Sequence, residues 1–204
     1  MNPAALRTDK AQDTQRRIID ASARLFAEKG YRGTSMSDII AASGSTKGGF
    51  YFHFASKAQL AAAVVLDAEE DFQRRVVAAI GEYTRGADQL VALVNVMADS
   101  VAEKPLAARL GALCEELRSE PDIDRAALYP QQAWVRLVAG LLTAAGAEDD
   151  LEPGVDVDRA AVFAVGAFIG IVDLVEADED PDAAQSTRAL MQFVLRGVGL
   201  KSAR

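Results

Sequence analysis

Between Thr14 and Lys29 the apolar residues Ile18, Ile19, Ala21, Ala23, Leu25 and Phe26 recur at the spacing of one helical face, and Gly30 supplies a stop. Ser35-Met36-Ser37-Asp38 has the spacing of a capping box, in which Ser35 caps free amides and Asp38 reaches back. Ile39, Ile40 and Ala42 follow, so a short second helix is predicted to end at Gly44. A third opens at Ser45 or Thr46 and carries Phe50 and Phe54 four residues apart, one face of a helix. Ser56-Lys57-Ala58-Gln59 forms another capping box and opens a long fourth helix reaching to about Tyr83.

The helical period continues over about Asp88 to Glu103, Pro105 to Arg118, Pro130 to Ala145, Asp158 to Ala177 and Asp182 to Val198. Pro105, Pro121, the acidic AGAEDDLEPG stretch and DEDPD interrupt it. No alternating run competes as a strand, so the expected class is all-α.

Two short helices joined at Ser43-Gly44-Ser45 and packed on a longer first helix make a helix-turn-helix, whose second helix enters the major groove of DNA. The residues suit that task. Thr46 offers a hydroxyl and Lys47 a cation for phosphate or guanine, while Tyr51, His53 and Lys57 are donors for flanking phosphates. Phe50 and Phe54 are expected to pin the helix to the core. Gly48 and Gly49 together cost a helix roughly 2 kcal/mol against alanines. Close approach to DNA explains them; the competing explanation is a helix of the protein crossing there.

The net charge of −8 argues against a nucleic-acid partner until the chain is divided. Residues 1–60 hold nine Lys or Arg and five Asp or Glu, a balance of +4, and the remainder carries 13 bases and 25 acids, or −12. A basic segment that meets polyphosphate beside a body that repels it would orient the molecule on DNA. The polar start and the lack of any apolar run near membrane-spanning length predict a cytoplasmic protein with no membrane partner. The single cysteine, Cys114, reads as a buried inert thiol, and His53, the one histidine, has no companion to complete a metal site. No cofactor is expected.

Residues 14–60, centred on RLFAEKGYRGTSMSDIIAASGSTKGGFYFHFASKAQL, resemble the DNA-binding domain of the tetracycline-repressor (TetR) family. The ordered run Gly30-Tyr31, Thr34-Ser35, Asp38-Ile39, Gly44, Lys47-Gly48, Tyr51, His53-Phe54 and Lys57 carries that likeness. The resemblance implies a bacterial repressor whose residues 1–60 form a helix-turn-helix domain and whose residues 61–204 form a helical ligand-binding and dimerisation domain. It implies a homodimer on a palindromic double-stranded operator, released by a small-molecule effector. Lys47, Gly48, Tyr51, His53 and Lys57 are then expected DNA contacts, joined by Thr34, Ser45, Thr46 and Gly49. Phe52 departs from the pattern: many relatives place a tyrosine there, and phenylalanine has no hydroxyl for a phosphate.

In the second domain the likeness is architectural. The helix from Asp158 to Ala177 leaves hardly any polar face across Val162 to Val172, and a helix apolar all round must be buried all round. Facing the same helix of a partner achieves this, with Phe163 in the contact, Gly166 and Gly170 permitting close crossing, and Met191, Val194, Leu195 and Val198 completing a four-helix interface. Trp134 falls on the inward stripe Trp134, Leu137, Val138, Leu141 and Ala145. That stripe is either plain core or the lining of a pocket. KGGFYFHFASKAQLA resembles the γ-butyrolactone receptor branch, which implies that Trp134, with Val138, meets an apolar signal. Glu115, Glu116, Asp173 and Glu176 would favour a cationic ligand but read as solvated faces.

An enzyme is excluded as a reading, because no nucleophile-and-base pairing or phosphate loop accompanies the lone histidine. Two rivals keep the helix-turn-helix: an activator, which sequence does not separate from a repressor, and a regulator acting through protein partners, against which the +4 charge of residues 1–60 counts.

Overall fold

The computed structural model describes residues 3–102, 113–114, 116–117, 120, 123, 131–177 and 180–201. Among them are eight helices: α1 (Pro3–Gly33), α2 (Met36–Ser43), α3 (Lys47–His53), α4 (Lys57–Ile80), α5 (Gly86–Ala102), α6 (Gln131–Ala147), α7 (Val157–Ala177) and α8 (Ala183–Gly197). The only extended pairing among the described residues is an antiparallel bridge of Leu151 with Leu200. Cys114 is buried, as its sequence setting implied. The expected helix from Pro105 to Arg118 lies mostly outside the described residues, although 113–114 and 116–117 are helical.

α1 begins earlier than its amphipathic stripe. Pro3 stands at its first position, where a missing amide costs nothing, and no glycine or further proline follows before Gly30. At Gly30 the backbone leaves the helix with φ of 72°, a value that favours glycine.

The chain forms two compact units, one of residues 1–70 with 108–128 and another of 71–107 with 129–204. The division falls after Glu70, inside α4: Ala58, Leu60, Ala61, Val64 and Val65 are buried before it, and Val76 after it belongs to the core of the second unit.

In the first unit α1 packs against both α2 and α3. Ile18, Phe26, Ile39, Phe50, Phe54 and Leu60 supply the large buried side chains. In the second, α5, α6, α7 and α8 each pack against two of the others, so they close a four-helix arrangement. Its core holds Leu90, Leu93, Met97, Val138, Leu142, Val165, Met191 and Leu195. Gly86 is required there: a Cβ on it would stand 2.5 Å from the Ala145 amide nitrogen and 2.6 Å from the Leu141 carbonyl oxygen.

Candidate functional site

The two short helices form because their ends are capped locally. The Ser35 hydroxyl accepts from the Asp38 amide at 3.1 Å and Asp38 accepts from the Ser35 amide at 3.1 Å, which closes the capping box and holds the Asp38 carboxyl below its usual range. Gly44 ends α2 in the left-handed conformation, φ 63°. Thr46 caps α3 by accepting from the Gly49 amide at 3.1 Å. The second capping box is shifted by one residue: Ser56 accepts from the Gln59 amide, but the Gln59 side chain reaches back to the amide of Ala55.

On α3, Phe50 and Phe54 are buried with rings 6.1 Å apart, which fixes the helix to the core as expected. Thr46, Lys47, Gly48, Tyr51 and Phe52 are exposed; Gly49 and His53 are half-buried. Lys47 makes no ion pair among the described residues. The alternative explanation of Gly48, a crossing helix, fails among the described residues, since a Cβ there would have nothing within 4 Å. At Gly49 a Cβ would press on the Thr46 Oγ1 at 3.1 Å, so the cap itself favours glycine.

Three of the expected DNA contacts have work inside the protein. Thr34 is 1% exposed and donates its hydroxyl to the carbonyl oxygen of Gly30 at 2.8 Å, with Leu25 at 3.1 Å, so its side chain closes the end of α1 rather than facing outward. Lys57 donates to the carbonyl oxygens of Tyr31 (2.9 Å) and Thr34 (3.1 Å), with its ammonium 4.2 Å from the centre of the Tyr31 ring. It is therefore a positioning residue for the turn before α2. Ser45 is half-buried and shares a 2.8 Å hydrogen bond with Ser43.

Tyr31 extends this network by donating to Glu120 at 3.2 Å. Burial, with Glu120 beside it, pushes the Tyr31 phenol up to about 12. Sequence alone did not point to these roles, because they depend on residues 23 to 89 positions apart meeting in the fold. Arg17 is a further basic residue at the turn: it is exposed, and its guanidinium would lie 4.0 Å from a Cβ at Gly44.

In the second unit Trp134 is half-buried against the helical core, its ring 5.3 Å from that of Phe72, and Val138 is buried in that core. α7 is two-faced rather than buried all round within the protomer. Ala161, Ala164 and Val165 are buried, while Val162, Phe163 and Ile169 are exposed together with Gly166 and Gly170. On α8 the expectation needs correcting. Met191 and Leu195 are 3% and 6% exposed, as members of the protomer's own core, and Val194 and Val198 join them. The large apolar residues that α8 leaves outside are Leu190 and Phe193.

A helix-turn-helix with capped short helices and an exposed Lys47, Gly48 and Tyr51 defines a DNA-binding regulator. The model for bacterial regulatory proteins of the tetR family matches residues 18–64. A TetR transcriptional regulator from Chloroflexus aurantiacus J-10-FL shares 30% identity over 94% of this chain and 99% of its own, with a TM-score of 0.73. The chain belongs to the TetR family of transcriptional regulators, which are not enzymes.

The A-factor receptor protein of Streptomyces griseus is 29% identical over 171 residues, 83% of this chain but only 57% of the receptor, so the chain spans little more than half of that relative. A structure solved for the molecular basis of control of antibiotic production by bacterial hormones is 30% identical over 89% of this chain and 96% of that one, with a TM-score of 0.71. No helix among the described residues is long and apolar enough to cross a membrane.

Proposed function

We propose that this regulator is a cytoplasmic repressor that binds a palindromic operator as a homodimer through α3 and leaves it when a small apolar effector binds the second unit. The carrying observation is the division of labour on α3. Phe50 and Phe54 fix it from behind, Lys47 and Gly48 face solvent, and Tyr51 sets its ring edge-on against Phe50 at 5.6 Å while remaining exposed. Thr46, Gly49 and His53 complete the proposed contact set, and the basic balance of residues 1–60 supports it. In this reading Lys57 and Thr34 act by holding the turn before α2.

The dimer contact is assigned to the exposed apolar face of α7 and α8: Phe163, Gly166 and Gly170 with Leu190 and Phe193. The effector is a γ-butyrolactone-type signal contacting Trp134, supported by the likeness to the A-factor receptor and by the half-buried indole, which offers a broad apolar face and one donor. Release follows if the effector prefers the state that fits the operator less well, since only differential affinity shifts an equilibrium.

Gel shifts with Lys47→Ala and Tyr51→Ala on the wild type's operator test the reading. Each loses about 1–3 kcal/mol of binding per half-site while circular dichroism stays helical. Variants that bind normally would show that α3 is not the recognition element.

A further inference from the structure

Phe52 is 80% exposed, although Phe50 on the same helix and Phe54, which caps it, are buried. Its ring meets that of His53 edge-on at 5.1 Å. At about 100° per residue, Phe52 stands roughly 200° from Phe50 and 160° from Phe54, so it occupies the outward pole of the helix. Gly48, one turn earlier, lies within about 40° of the same line, and a Cβ there would meet nothing within 4 Å. Tyr51 flanks this pole on one side and His53 on the other, each about 100° away, and Lys47 opens the helix on the Tyr51 side. The helix thus presents an apolar tip between polar shoulders, with cleared backbone ahead of the ring.

A phenyl group has nothing to give a phosphate, and folding leaves it in water. The shoulders carry the hydrogen-bonding groups for phosphates and base edges; the tip needs an apolar one. On the floor of the major groove the apolar feature that distinguishes one base pair from another is the 5-methyl group of thymine. We propose that Phe52 is a specificity-determining residue that packs against a thymine 5-methyl group in each operator half-site. This rests on the DNA-binding reading of α3 and adds what the tip of that helix reads.

The test uses the full chain and an operator selected from a pool of random duplexes. Deoxyuridine, which lacks only the methyl group, is placed in turn at each thymine of the selected half-sites, and affinity is measured by fluorescence anisotropy. One thymine per half-site is expected to matter: its replacement weakens wild-type binding about fourfold, and symmetric replacement about fifteenfold. Phe52→Ala binds the thymine operator more weakly and no longer distinguishes thymine from uracil there, whereas Tyr51→Phe still does. Wild-type protein that binds its operator equally with either base at every position overturns the inference alone, as does a Phe52→Ala variant that keeps the discrimination. Wild-type protein that selects no duplex overturns the DNA-binding reading beneath it.

Discussion

The exposed surfaces of α3 and α7 are both unfinished, but in opposite chemistries. α3 shows solvent a lysine, a tyrosine, open glycine backbone and a single apolar ring, within residues 1–60, which carry a balance of +4. α7 shows Val162, Phe163, Ile169 and Leu174 within the −12 remainder, and α8 adds Leu190 and Phe193. Isolated exposed apolar residues are ordinary, but several on adjoining helices call for a cover. A polyanion suits the first surface and repels the second; a second apolar face suits the second alone. The proposed dimeric regulator needs both, and the sequence separates them into different helices.

The strongest way to break this contrast is to charge the apolar face. Gly166→Arg meets open space in the protomer and should fold, but a charge left unpaired in an apolar interface costs about 3–5 kcal/mol. On the proposed interface, the wild type should sediment as a dimer at micromolar concentration and this variant as monomers or aggregates. A dimer that survives this change would place the interface elsewhere. Leu195→Ala sharpens the contrast from the other side. A buried leucine truncated to alanine costs about 2–5 kcal/mol, so denaturant midpoints should fall while the folded protein still dimerises. Loss of the dimer with unchanged stability would return Leu195 to the interface.

Trp134→Phe has the smallest expected effect. Removing the indole's extra aromatic contact, worth about 0.5–1.5 kcal/mol, should shift the concentration of an alkyl-tailed γ-butyrolactone that releases operator by up to roughly tenfold, with operator affinity unchanged. In the wild type, emission from this lone tryptophan should change over the same range. An unshifted midpoint would make Trp134 plain core.

The helix-turn-helix was legible because its signals are local. A capping box, a left-handed Gly44 and two phenylalanines four residues apart each act within a turn or two. The internal bonds of Thr34 and Lys57 were not legible for the complementary reason: a hydroxyl or ammonium beside a DNA-binding motif looks unengaged until the carbonyls of residues 25 to 34 are seen to accept from it. The stripe Met191, Val194, Leu195 and Val198 marked a buried face of α8 correctly, but periodicity does not say whether the cover is the same protomer or another. The weaker pair Leu190 and Phe193, three residues apart and flanked by Arg188, Gln192 and Arg196, carried the outward face.

The central claim, that the basic segment of residues 1–60 meets DNA through phosphates, is tested most directly by operator affinity as a function of salt. If each dimer neutralises six to ten phosphates, anisotropy titrations should show affinity falling by roughly 10³ or more between 50 and 200 mM salt. An affinity unchanged across that range would contradict it.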